Sequence, residues 1–243
     1  ADIDQQKAEH LFSAGGRTVE LETMTFNPHV LRTCARPYSS QQVRVIGEGL
    51  KRMGFSVGVH LVPGLPSGDA ETALHDAQCA ADASWVDFVR IWPALGFSGA
   101  TITSWAETGA WVPWDVEPTL NVVEDMLEIF EGANKPVVRV GIQPGQDIPV
   151  RAIVGPIHPN LRGEIESRRF GAKLRAGLVD AQPKERIVVF VNEKDLAWAK
   201  GTSNINGRRC KILYQLESIQ FRSDNTVARG SFRLSRGTTH RSE

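Results

Sequence analysis

The chain has few cysteines, no long apolar run, no leader-like start and no net charge, and each absence narrows the field. Its three cysteines, Cys34, Cys79 and Cys210, are odd in number and far apart. A disulfide framework is therefore not expected, and no two sit at the close spacing of a zinc or iron–sulfur motif. They read as small, partly buried hydrophobes, with no metal site among them. No stretch approaches the roughly 18 uncharged apolar residues that span a membrane. The opening ADIDQQKAEH carries neither the basic nor the apolar region of a signal peptide, so the expectation is a cytoplasmic protein with no membrane partner. No G-x-S-x-G elbow or paired nucleophile and base is present to support an ordinary α/β hydrolase or isomerase.

What is present suffices for one large core or two smaller ones, with 41% hydrophobic and 23% charged residues in 243. The zero net charge hides a split. Residues 1–161 hold 11 Lys/Arg against 19 Asp/Glu, and residues 162–243 hold 17 against 9, an acidic body of −8 beside a basic region of +8. Two modules are implied, the second facing a polyanion or an acidic partner.

Asp4 can cap a short helix closed by Gly15-Gly16, and TVELETMTF (18–26) reads as a strand. Ser39 or Ser40 can cap a helix whose Val43, Ile46 and Leu50 recur at helical spacing before Gly54. A strand, FSVGVHLVPGLP, follows. The cycle repeats with an Ala-rich helix over 68–83, a strand VDFVRIWPAL, an irregular Trp-rich stretch, a helix over 118–132 and a strand PVVRVGIQP. Strands alternating with helices predict right-handed βαβ units and a parallel sheet, and the near-continuous apolar strands predict cover on both faces. Substrates of such sheets bind at the carboxyl ends of the strands. There the chain places Pro63-Gly64-Leu65-Pro66, Trp92-Pro93 and Gln143-Pro144.

Beyond residue 145 the period breaks into a strand or loop and a helix starting near Pro159; residues 177–185 read as a linker. The remainder predicts strand RIVVFVN, helix EKDLAWAKG, polar turn TSNIN, helix GRRCKILYQLE, strand SIQFR and a last strand ARGSFRL. The division expected is 1–176, a linker over 177–185, and a small α+β domain over 186–243.

Val19-Glu20-Leu21, Arg36, GFSVGVHLVPGLPSGD (54–69), VDFVRIWPAL (86–95), VVRVGIQP (137–144) and VGPIHPNLRGEIESRRF (154–170), in this order, resemble one known family. It is the C-terminal half of the radical S-adenosylmethionine barrel in bacterial proteins similar to the Elongator catalytic subunit. The resemblance covers roughly 17–170 and, more loosely, 186–235, where some members carry a KH-like RNA-binding region. It implies a partial (βα) barrel of parallel strands followed by a basic KH-like α+β domain. It also implies S-adenosylmethionine as a shared cofactor, with Glu20, His60, Gly64, Pro66, Arg90, Trp92 and Gln143 as contacts. His158 and Glu166, beside Ser167 and Arg168, become the catalytic candidates in a segment that closes over the barrel mouth.

The departures are as informative. Such enzymes hold a 4Fe–4S cluster on three closely spaced cysteines, which this chain lacks, and the chain begins at what would be the fourth strand of six. The family's Gly-x-Gln-Ser is Glu22-Thr23-Met24-Thr25 here, and its Arg-Gly-His-Thr is Arg36-Pro37-Tyr38-Ser39. A half barrel exposes a strand edge at 18–26, so a cluster-bearing chain or a homodimer is expected to pair it.

Each candidate also has a plain structural alternative. The Pro/Gly loop can be a βα turn, His60 a core histidine, and Glu166 a surface partner of Arg169, three residues on. Arg90 and Arg139 sit on strands predicted to be buried, where each needs an anionic or carbonyl partner. Trp85, Trp92, Trp105, Trp111 and Trp114 line either an interface or a substrate pocket. Gly201-Thr202-Ser203-Asn204 stands where a Gly-x-x-Gly loop clamps a nucleic-acid backbone, with Asn204 for the second Gly. Lys200, Gly201, Arg208, Arg209 and Lys211 are the RNA-binding candidates, against a merely solvated basic face. Two functions stay open: the cluster-less component of a split radical S-adenosylmethionine enzyme acting on RNA or an RNA-associated substrate, and a non-catalytic scaffold that binds protein and RNA.

Overall fold

The computed structural model describes residues 3–142 and 152–237, and the chain forms two compact units, 1–161 and 162–243. The first runs Gln5–Ser13 (α1), Thr18–Met24 (β1), Pro28–Thr33 (α2), Ser40–Arg52 (α3), Ser56–Leu61 (β2), Ala70–Asp82 (α4), Phe88–Ile91 (β3), Gly96–Phe97 (β4), Thr101–Glu107 (α5), Val116–Gly132 (α6), Val137–Val140 (β5) and Ala152–Val154 (β6). The expected parallel sheet is present, in the order β1-β2-β3-β5, and β4 and β6 make a small antiparallel pair.

Local chemistry explains the helix starts. Asp4 accepts from Lys7 N–H and Asp69 from Thr72 N–H, both at 2.8 Å. Ser39, not Ser40, caps α3 and shares a capping box with Gln42. The strand expected over 18–26 ends at Met24, whose positive φ of 61° follows a register shift. The Trp-rich stretch expected to be irregular contains α5.

One face of the sheet is sealed. Val57, Val59, Leu61, Val89 and Ile91 are at most 1% exposed, and α3 and α4 lie against β2. Along α4, Ala73, Ala77, Ala80 and Ala81 form a small-residue face, and α6 packs against that helix. The other face corrects the expectation of cover on both sides. Alternation puts Glu20, Glu22, His60, Arg90 and Arg139 on it, with His60, Arg90 and Arg139 in one register row across β2, β3 and β5. Those side chains are half-buried or exposed. Carboxylates, imidazole and guanidinium in alternation suit the polar lumen of a barrel, not a second helical layer.

The second unit comprises Leu161–Gly177 (α7) from its second residue on, Arg186–Val191 (β7), Leu196–Lys200 (α8), Ile205–Leu213 (α9), Ser218–Ser223 (β8) and Phe232–Gly237 (β9), with 3-10 turns over Glu193–Asp195 and Thr202–Asn204. Its sheet has the order β8-β7-β9, with β7 parallel to β8 and antiparallel to β9. The unit boundary falls upstream of the expected one. Phe170, Leu174 and Leu178 share a core with Ile187, Val189, Val191, Ala199, Cys210 and Leu216, and Ala181 packs against it. Part of the stretch read as a linker is thus core, and α7 begins at Leu161, two residues past the expected Pro159.

Candidate functional site

At the carboxyl ends of β1, β2 and β3 lies a cavity of about 640 Å³. Glu22, Cys34, Arg36, His60, Trp92 and Trp105 are among its lining residues. The sequence singled out His60 and Trp92 for this place. Trp105 belongs to the tryptophan cluster read as an interface or a pocket, and Arg36 to the phrases that carry the resemblance, whereas Glu22 and Cys34 were not read as cavity residues. The periodicity of β1, which sets Glu22 two positions beyond Glu20, was the available signal.

His60 and Trp92 stack in a tilted arrangement, ring centroids 5.3 Å apart. Burial pushes the His60 pKa below its ordinary value, and Arg90 adds to the effect against the opposing pull of Glu22 and Glu20; the imidazole is neutral at neutral pH. Arg90 Nη2 donates to Glu20 Oε1 at 2.8 Å, which supplies the partner that a strand arginine requires. Two atoms of this group stay unsatisfied. His60 Nε2 and Arg90 Nε are buried and have no hydrogen-bond partner among the described residues. A buried polar atom without a partner is costly and uncommon, and these two occupy adjacent register positions.

Gly64 and Pro66 are buried in the loop after β2. Gly64 has a φ of +82°, its carbonyl accepts from Trp111 Nε1 at 3.0 Å, and a Cβ there would lie 3.1 Å from the Trp114 ring. Two indoles therefore hold this loop. Trp85 is core: a Cβ on Gly47 would meet its ring at 2.2 Å. Of the five tryptophans between 85 and 114, Trp92 and Trp105 line the cavity and the other three are packing residues. Gln143 lies outside the described residues.

His158 belongs to the first unit and Glu166 to the second. His158 Nδ1 accepts from Asn160 N–H at 3.0 Å. Glu166 accepts from Arg162 Nε at 2.6 Å, one helical turn back.

In the second unit the turn after α8 is left-handed at three positions. Gly201, Ser203 and Asn204 have φ of 69°, 51° and 56°. Asn204 thus occupies the conformation that a second glycine would adopt, which asparagine tolerates better than other side chains. Gly201 also lacks room for a side chain, since a Cβ would lie 2.5 Å from Ser167 Oγ. Buried Asn206 anchors the turn to α7 through Ser167 O at 2.9 Å. Lys200, Arg208, Arg209 and Lys211 flank the turn; Arg208, Arg209 and Lys211 are exposed and Lys200 is half-buried.

The residues do not fit an iron–sulfur cluster. Cys34 follows α2, Cys79 lies on α4, Cys210 is buried in α9, and no group of three or more His, Cys, Asp or Glu side chains among the described residues could hold a metal ion.

An open, parallel half barrel with a charged lumen and a cavity at its carboxyl end defines the first unit as part of a (βα) barrel. No protein-family model matches the chain. Over 163 residues, 66% of its length, it is 24% identical to the tRNA uridine(34) acetyltransferase of Methanocaldococcus jannaschii, of which 29% is covered. The protein of the same name from Methanocaldococcus infernus matches at the same identity, with 30% covered. Among solved structures, the archaeal Methanocaldococcus infernus Elp3 with its N-terminus deleted superposes with a TM-score of 0.61 at 21% identity, covering 71% of this chain and 40% of that one. The resemblance to proteins of the Elongator catalytic subunit type therefore holds in sequence and in fold. The chain spans under a third of the length of the curated relatives it matches.

Proposed function

We propose that this chain is a component of a radical S-adenosylmethionine system acting on RNA or an RNA-associated substrate, its lumen face holding the cofactor and its basic unit the nucleic acid. The observation that carries the reading is the pair of buried, unpartnered atoms, His60 Nε2 and Arg90 Nε, beside the Glu20–Arg90 ion pair and the His60–Trp92 stack. That set suits a zwitterionic, adenine-bearing ligand. The guanidinium and carboxylate take the amino-acid end, and the paired rings give a flat apolar surface. Bound S-adenosylmethionine supplies radical chemistry when a cluster reduces it. The chain's own part is to orient the cofactor, and the cluster ligands come from a partner chain that also pairs the β1 edge. His158 and Glu166 are assigned to substrate. The left-handed turn with Lys200, Gly201, Arg208, Arg209 and Lys211 acts as a KH-like phosphate clamp.

The second reading, a scaffold that has lost catalysis, draws on the Trp114 ring, which fills the space beside Gly64 where an adenosyl group would approach backbone. Isolation of the native complex separates the two. The component reading expects a co-purifying chain that carries iron and sulfide. RNA binding is tested by fluorescence anisotropy of labelled single-stranded RNA across a salt series. The logarithm of affinity should fall with that of salt by roughly 0.7 per phosphate neutralised, and Arg208→Glu with Arg209→Glu should weaken all sequences about equally. Binding that ignores both salt and the double variant removes the RNA assignment and leaves an acidic protein surface as partner.

A further inference from the structure

The second unit has a face that the phosphate clamp does not use. The helices α7, α8 and α9 contribute Phe170, Leu174, Ala199 and Cys210 to the core on one side of the sheet, together with Ile187, Val189 and Val191 of β7. The alternate side chains project from the opposite side. In register across the three strands these are Arg222, Phe190 and Arg233 in one row, Gln220, Val188 and Ser235 in the next, and Ser218, Arg186 and Gly237 in the third. Arg222, Arg233, Gln220 and Ser235 are exposed, and no described helix covers them.

We propose that this open sheet face is a platform for single-stranded RNA, with bases stacking on the Phe190–Arg233 pair and phosphate meeting Arg222. The inference rests on the RNA-associated reading above and adds a second surface to it. The Arg233 guanidinium lies 4.3 Å over the Phe190 ring centroid and its Nη2 is 2.7 Å from Asp224, yet the side chain is 55% exposed. One guanidinium plane is thus fixed on an aromatic ring, ready for a base on its outer side without loss of side-chain freedom on binding. Arg222, directly across the row, bonds the Gln220 amide at 3.4 Å and pairs with no carboxylate among the described residues.

The connection from β8 to β9, which carries the row's end, is tied down. Wholly buried Asp195 accepts from Arg229 Nε at 2.6 Å and from Gly230 N–H at 2.7 Å, and Arg229 lies 5.4 Å over the Trp198 ring. Asn192 bonds the Val227 carbonyl at 3.2 Å. Charge complementarity selects the occupant. Three of the nine face positions are arginine and none is acidic; Arg186 pairs with Glu217 and Arg233 with Asp224, so Arg222 is the face arginine with no carboxylate partner among the described residues, in a region of 17 basic against 9 acidic residues. A protein partner would seek an apolar face, and this one offers Val188 and Phe190 alone. A single strand supplies both the phosphates and the π-faces that such a surface binds.

The test is anisotropy with a labelled oligouridylate of about 12 nucleotides, within the usual footprint of such surfaces, and with an abasic oligomer of equal length. Phe190→Leu, which keeps the site apolar, should weaken oligouridylate binding by about fivefold to tenfold, the effect of losing one stacked base. It should leave the abasic oligomer unaffected. Arg222→Gln should weaken both oligomers and reduce the salt slope by about 0.7. Unchanged thermal unfolding shows that each variant is folded. Sheet variants that bind like wild type, while Arg208→Glu with Arg209→Glu loses binding, overturn the platform and keep the RNA reading. No salt-dependent binding by the wild type overturns both. Concentration-dependent dimerisation abolished by Arg222→Gln assigns the face to a second copy instead and also overturns the proposal.

Discussion

Asp76 offers a quantitative check on the first unit. It lies on α4, 4% exposed, and its Oδ1 accepts from Phe26 N–H at 2.7 Å, which ties the turn after β1 to the helical layer. Burial pushes its pKa up to about 6 from 3.8, although bonds from Thr25 and Phe26 and the nearby His75 pull the other way. Between those two values the folded chain binds a proton that the unfolded chain has released. Folding is therefore favoured at low pH, and stability is lost as pH rises through about 6. The full difference is about 3 kcal/mol at roughly 1.4 kcal/mol per pKa unit, and about half of it falls between pH 5 and pH 8. Asp76→Asn keeps an oxygen for Phe26 N–H and cannot ionise. Relative to wild type, the variant should gain about 1.4 kcal/mol on going from pH 5 to pH 8, whatever its offset at either pH. Urea unfolding followed by tryptophan fluorescence reports on the first unit, which holds every tryptophan except Trp198. At about 2 kcal/mol per molar urea the relative midpoint should move by roughly 0.7 M. A pH-independent difference, or one of opposite sign, would show that the carboxyl is solvated in the folded protein.

Gly47→Val should destabilise the first unit by about 1–3 kcal/mol, because the added carbon meets the Trp85 ring at 2.2 Å; calorimetry reads the loss. Reconstituted anaerobically with iron and sulfide, this polypeptide alone should show no stoichiometric cluster signal by absorbance or electron paramagnetic resonance, since its three cysteines stand on separate elements.

The βα cycle was legible because apolar strands and capped helices announce themselves locally: Asp4 and Ser39 cap the helices that their sequence context implies. The polar side of the sheet was harder to read. Glu20, His60 and Arg90 share a face only once register is known, and register between strands some 30 residues apart is a tertiary fact. The Trp-rich stretch misled for a related reason. Trp111 and Trp114 find their places through Gly64, far away in sequence, so composition alone could not separate clamp from interface. In the second unit, the run 177–185 looks like a linker by its polar and Pro/Gly content, but Leu178 is wholly buried. Asp195 gave no local sign of its role, since its partners Arg229 and Gly230 come from the β8–β9 connection.

The central claim, that the lumen face is a cofactor site, is tested most directly by calorimetric titration of the chain with S-adenosylhomocysteine, which carries the adenosyl and amino-acid ends without reactivity. The account predicts one saturable site, weakened at least tenfold by Arg90→Met and by His60→Phe, each of which removes one of the two unpartnered atoms. No binding at millimolar ligand, or variants that bind like wild type, would contradict it.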